Sequence, residues 1–118
     1  MTQENKDLLL RDLCARLPYG VKIQVPYEDG SGYFDETVWE VNNEGPFYVN
    51  GWGIEYEYVK PYLFPLSSIT KKTLEELSAY IDIKNAYVAV EFFNSHHIDY
   101  RGLIEKGLAV DATGLNIY

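Results

Sequence analysis

The sequence predicts an α+β fold: an N-terminal helix, a four-stranded antiparallel meander, then helices towards the C-terminus. Three observations carry the prediction. Apolar residues recur at three- and four-residue spacing near the start, alternate between Val21 and Tyr58, and return to helical spacing after residue 70.

In the first stretch, Leu9, Leu10, Leu13, Cys14 and Leu17 fall on one face of a helix over residues 3–17. Thr2 is suited to cap it, and Pro18 and Gly20 end it. Cys14 lies on the apolar stripe and reads as a buried thiol. A nucleophilic thiol would need a neighbour that lowers its pKa, and the adjacent sequence supplies none.

Val21, Ile23 and Val25 alternate with Lys22 and Gln24, as in a strand buried on one face. Glu28-Asp29-Gly30-Ser31-Gly32 reads as a turn, and Thr37, Trp39 and Val41 alternate with Val38 and Glu40 in a second strand. A turn at residues 42–46 leads to a short strand at 47–50, and Gly51-Trp52-Gly53 reads as a third turn. In the fourth strand, Ile54, Tyr56 and Tyr58 share one face while Glu55 and Glu57 take the other. Strands joined by short turns pair as an antiparallel meander, here expected to curl over the first helix as an open sheet or a small open barrel. Pro61 and Pro65 bracket an extended crossing segment over residues 60–66.

A second helix is expected from Thr70, with Leu74, Leu77 and Ile81 inward and the pairs Lys71/Glu75 and Lys72/Glu76 outward. Residues 84–97 suit either a strand, through Tyr87-Val88-Ala89-Val90, or a helix, through Ala86, Ala89, Val90, Phe93 and His97; the helix is preferred. Asp99 is placed to cap a short helix over residues 100–106, closed by Gly107, and a last turn is expected at Asp111-Ala112-Thr113-Gly114.

Composition narrows the function classes. A chain of 118 residues with 47% apolar and 24% charged residues suits a single globular domain spanning 1–118. It has no apolar run long enough to cross a membrane, and its polar start does not resemble a signal peptide. One cysteine excludes an internal disulfide and a multi-thiolate zinc site, so a reducing cytoplasm is the expected location. Net charge is −8, and Lys71-Lys72 is the only adjacent basic pair, which argues against nucleic acid as a partner. Eleven tyrosines among 15% aromatic residues suit half-buried strands and contact surfaces alike.

Ser95-His96-His97-Ile98-Asp99-Tyr100-Arg101 is the densest run of chemically capable side chains. Adjacent histidines on a helix diverge by about 100°, and no others exist in the chain, so no metal is expected and no cofactor is implied. A nucleophilic Cys14–His–Asp99 arrangement would need the first helix to abut this segment. The structural alternative is that His96 and His97 close a helix and Asp99 caps the next turn. The acidic cluster Glu28, Asp29, Asp35 and Glu36 lacks the spacing of a calcium loop and reads as a solvated hairpin tip. Trp52 reads two ways, as an exposed contact anchor or as a ring folded onto the core.

Three stretches are similar to a known group of sequences. They are Leu8-Leu9-Leu10-Arg11-Asp12-Leu13-Cys14-Ala15-Arg16-Leu17-Pro18-Tyr19-Gly20-Val21, Val59-Lys60-Pro61-Tyr62-Leu63-Phe64-Pro65-Leu66-Ser67-Ser68 and Ser95-His96-His97-Ile98-Asp99-Tyr100-Arg101-Gly102-Leu103-Ile104. They resemble small uncharacterised proteins encoded by gut anaerobic bacteria and their phages, over about a third of the chain. The resemblance implies an intracellular protein carried on a mobile element. It implies no activity, cofactor or catalytic residue.

The leading expectation is a non-enzymatic module that binds another protein through aromatic surface on or beside the sheet. Candidate binding residues are Trp52, Tyr56, Tyr58, His96, His97, Asp99, Tyr100 and Arg101. One alternative is an acidic decoy that inhibits a nucleic-acid-binding partner. Another is a small hydrolase or ligand-binding protein using residues 96–101.

Overall fold

Thr2 starts the first helix as expected, its hydroxyl accepting the Asn5 N–H at 3.1 Å. In the structure, a computed structural model, residues 1–42, 45–48, 52–53, 58–69, 75 and 86–118 are described, with the backbone alone for 42, 45–48, 52–53 and 86–88. Helix α1 (Gln3–Arg16) runs into a 3₁₀ turn (Leu17–Tyr19), and Gly20, at φ 70°, makes the left-handed step that releases the chain. The buried residues of α1 are Leu9, Asp12, Leu13 and Arg16. At 100° per residue, this arc is rotated by about 80° from the stripe read in the sequence. Leu10 and Leu17 are left at its rim, and Cys14 is exposed, which corrects the expectation of a buried thiol. The rotation is possible because the two charged residues it brings inward neutralise each other.

Strand β1 (Lys22–Pro26) buries Val21, Ile23 and Val25 on the helix side and pairs antiparallel with β2 (Tyr33–Asn42), from Lys22↔Thr37 to Pro26↔Tyr33. The turn between them closes with Tyr27 N–H on the Gly32 carbonyl at 2.9 Å and Ser31 N–H on Asp29 Oδ1 at 2.9 Å. Next come β3 (Gly45–Tyr48) and β4 (Trp52–Gly53), each antiparallel to its predecessor. Trp52 and Gly53 were expected in a turn and instead pair with Tyr48 and Phe47. The expected fourth strand at 54–58 lies outside the described residues except for Tyr58, which is not in a strand.

The larger correction concerns the segment bracketed by prolines. Residues 60–65 are a strand, β5 (Lys60–Pro65), antiparallel to β1 and parallel to the short β6 (Ile98–Asp99) and β7 (Val110–Asp111). The sheet is therefore mixed, in the order β4-β3-β2-β1-β5-β6 with β7 beside β5, and is not a four-stranded antiparallel meander. Parallel partners need long connections, which no local turn signal announces.

The preferred helix in residues 84–97 is α2 (Ala86–Ser95). Its predecessor, expected from Thr70, lies outside the described residues except for Glu75. Residues 100–106 are turns and not the expected helix. Gly102, at φ 76°, interrupts any continuous helix, and Leu108 N–H returns to the Leu103 carbonyl at 2.9 Å to close a single turn at Gly107. The main core joins Leu9 and Leu13 to Val21, Ile23, Val25, Val38, Val59, Leu63, Leu103 and Leu108, and Phe92 with Ile98 forms a smaller cluster. Truncating Leu13 or Leu63 to Ala in such a core costs about 2–5 kcal/mol.

Candidate functional site

Among the described residues, two places concentrate chemically capable side chains: the junction of α1 with α2 and β6, and the outer face of the β1–β2 hairpin. At the junction, Asp12 and Arg16 are both fully buried and paired, Arg16 Nε to Asp12 Oδ2 at 2.9 Å. The other Asp12 oxygen takes Arg101 Nη1 at 2.7 Å. Arg16 donates further to the carbonyls of Ile98 at 2.6 Å and Phe93 at 3.3 Å. Its guanidinium thus ties the end of α2 and the start of β6 to α1. The Arg101 guanidinium carbon sits 4.4 Å from the Tyr100 ring centroid, and Tyr100 stacks on Phe93 at 5.5 Å.

Asp99, His96 and His97 lie around this network, each in an internal bond. Asp99 is 5% exposed, and its two oxygens each accept a backbone N–H, from Leu103 and from Ile104, both at 2.9 Å. It therefore holds the first amides of the single turn, although no helix follows. His96 stacks on Phe92 with centroids 4.2 Å apart, its Nδ1 2.9 Å from the Phe92 carbonyl. His97 closes α2 in the left-handed conformation, φ 56°, with its N–H on the Asn94 carbonyl.

The His97 ring is buried and stacks almost coplanar on Tyr118, 3.7 Å between centroids and 11° between planes. Burial, then the nearby positive charge of Arg16 and then His96, lower its pKa from 6.5 to about 4, against an opposing hydrogen bond to the Tyr19 backbone. The neutral imidazole is therefore the form present near neutrality. Tyr118 in turn inserts into the sheet where the β1–β5 ladder stops at Pro61: its hydroxyl accepts the Lys22 N–H and donates to the Tyr62 carbonyl, both at 2.8 Å. Burial raises the Tyr118 phenol to about 12. Tyr62, buried and bonded to Asp35, is raised to about 12 by the same cause first and by that carboxylate second.

Asn94 Oδ1, His97 Nδ1 and the Tyr100 hydroxyl are buried without a hydrogen-bond partner among the described residues. Cys14 is exposed while both oxygens of Asp99 are engaged with backbone, so the pair is not brought together as a nucleophilic arrangement. Among the described residues, no three or more of His, Cys, Asp and Glu are grouped to hold a metal ion. No helix there is long and apolar enough to cross a membrane.

The hairpin face differs. Tyr33, Asp35, Thr37 and Trp39 are all exposed, while Phe34 and Glu36 are half-buried and Val38 is buried. The register with β3 steps from Val38↔Tyr48 to Glu40↔Phe47, which leaves Trp39 as the extra residue of a bulge. The bulge resets the alternation, so Val38 and Val41 both reach the core, and Trp39 is turned out with 66% of its surface in solvent. Of the sequence candidates beside the sheet, Tyr58 is 55% exposed. Tyr56 lies outside the described residues, and for Trp52 the backbone alone is described.

Trp39 and Tyr33 were missed, as were Asp12 and Arg16. The signal for Trp39 was present: two valines three apart, Val38 and Val41, break a two-residue period and call for a bulge between them. No protein-family model, curated protein or solved structure matches this chain.

Proposed function

We propose that the chain is a non-enzymatic protein-interaction module whose contact surface is the outer face of the β1–β2 hairpin, with Trp39 as its anchor. The observation that carries this reading is Trp39, placed at a bulge and 66% exposed on the same strand as Tyr33, which is 63% exposed. A bulge re-aims a side chain at the expense of ladder regularity, and Trp and Tyr supply the largest contact energies per side chain at interfaces. Residues 96–101 serve as scaffold in this reading, since Asp99 and Arg101 are held in internal bonds and the His97 ring is stacked on Tyr118. A reducing cytoplasm suits a chain with one cysteine, and carriage on a mobile element follows from the resemblance alone.

The test is affinity capture from host extract with the wild type, Trp39→Ala and a Glu28→Lys/Asp29→Lys reversal at the hairpin tip. Loss of the captured protein with Trp39→Ala alone is expected. Loss with the charge reversal alone would favour an acidic decoy instead.

A further inference from the structure

The geometry points to a specific occupant for this face: an extended polypeptide segment carrying Arg or Lys at alternate positions. The inference rests on the interaction-module reading and adds the chemistry of the partner. It starts from a comparison within the molecule. At the α1–β6 junction, a carboxylate, an aromatic ring and a guanidinium form a closed set: Arg101 bonds Asp12 at 2.7 Å and lies over the Tyr100 ring at 4.4 Å. On the hairpin, Asp35 is flanked along one strand face by Tyr33 and, beyond Thr37, by Trp39, and among the described residues no cation pairs with it.

No acidic residue of the hairpin is in an ion pair among the described residues, where the ion pairs are those of Asp12 with Arg16 and with Arg101. Among the described residues Asp35 is used only by the Tyr62 hydroxyl, which leaves lone pairs open, and Glu40, exposed beside Trp39, adds a second carboxylate. The nearby cations do not neutralise this set. Lys22 reaches the Ile117 carbonyl at 2.8 Å, and Lys60 lies two strands from Asp35 through the register Asp35↔Gln24↔Lys60, about 10 Å away by strand spacing. The chain as a whole carries −8, which attracts a cationic segment and repels an acidic one.

The spacing selects an extended occupant. Tyr33, Asp35, Thr37 and Trp39 repeat every second residue along about 20 Å of strand, so basic side chains must also repeat every second residue to meet them. A guanidinium stacks on the indole and phenol faces while its N–H groups reach the carboxylates between them.

The experiment measures fluorescence anisotropy of a labelled decapeptide of alternating Arg and Ser, with a Glu-Ser decapeptide as control. Saturable binding of the Arg peptide alone is expected, weakened about tenfold by Trp39→Ala and less by Trp39→Phe, which keeps a ring with a weaker face. Asp35→Asn should also weaken it, with far-UV circular dichroism unchanged in every variant. Arg-peptide binding that is absent, or undiminished in Trp39→Ala, would overturn the proposal. So would a wild-type dimer in sedimentation equilibrium that Trp39→Ala dissociates, because a second copy would then cover the face. If the peptide is ignored while Trp39→Ala still loses the protein captured from host extract, the cationic occupant falls and the module reading stands. If that capture also survives Trp39→Ala, both fall.

Discussion

The α1–β6 junction and the β1–β2 outer face are built from the same kinds of side chain and differ in whether those side chains are satisfied. At the junction, Asp12 meets two guanidinium groups, Arg16 meets two carbonyls as well, and Asp99 holds two amides. On the hairpin, Trp39, Tyr33 and Asp35 face solvent. The dense polar run in the sequence is held in internal bonds, and an inconspicuous strand carries the exposed aromatic surface. Residue type marks where chemistry is possible, whereas pairing decides whether it remains available.

The comparison breaks most visibly if the junction is not structural. Asp12→Ala leaves the fully buried Arg16 without its counter-charge and should cost about 3–5 kcal/mol in urea denaturation. The double change Asp12→Leu/Arg16→Met should recover much of that loss, because an apolar pair of similar volume avoids the desolvation of both ions. A single change that costs under about 1 kcal/mol would place the holding force elsewhere.

Next in size is the pH dependence at His97. Its pKa falls from 6.5 to about 4 on folding, so between those values the unfolded chain binds the proton first. Stability present above pH 6.5 is therefore lost as pH falls towards 4, by roughly 3 kcal/mol in all. Urea midpoints measured down this window should fall in the wild type and fall less in His97→Gln. On the alkaline side, Tyr62 and Tyr118 are raised to about 12, so stability should be lost as pH climbs from 10 to 12, followed by phenolate absorbance.

Asp99 gives a smaller and more selective effect. Each oxygen accepts a different amide, so Asn can satisfy one of them and sets its own NH₂ against the other. Asp99→Ala should cost about 2–3 kcal/mol and Asp99→Asn about 1–2 kcal/mol, on the scale of charge-assisted bonds to buried donors. Equal stability of Asn and Asp would mean that one of the two bonds contributes nothing.

Local features were legible in the sequence where a short-range rule governs them. Thr2 capping, the alternation of Val21, Ile23 and Val25, the hairpin turn, helix α2 and the closure at Gly107 all follow from spacing and turn chemistry. The phase of α1 was not legible, because Asp12 and Arg16 look like an exposed i,i+4 pair until Ile98, Phe93 and Arg101 arrive from the far end of the chain. The parallel pairing of β5 with β6 and β7 has the same origin, since Phe64↔Ile98 and Tyr62↔Val110 join residues that share no local pattern. His97 and Tyr118 likewise meet only through the fold.

The smallest expected effect on stability is the one that tests the hairpin face most directly. Trp39 is 66% exposed and has no cross-strand partner in the β2–β3 register, so its ring forfeits little on truncation. Trp39→Ala should shift unfolding by no more than about 0.5 kcal/mol, the range of surface substitutions away from caps, cores and networks. A structural Trp behaves otherwise: burying most of a large aromatic surface makes its loss cost about 3–5 kcal/mol. Deleting Trp39 from the strand would be a different experiment, because it removes the extra residue of the bulge and leaves Val38 and Val41 two residues apart, so that a regular ladder still points both inwards. That deletion should cost about as little as the side-chain truncation, since Val38 and Val41 both stay against the main core. A neutral Trp39→Ala beside a tolerated deletion therefore shows that the bulge serves to present the indole and that neither is needed to hold the core. If the truncation itself costs about 3–5 kcal/mol, the ring is part of the scaffold and the two regions are alike.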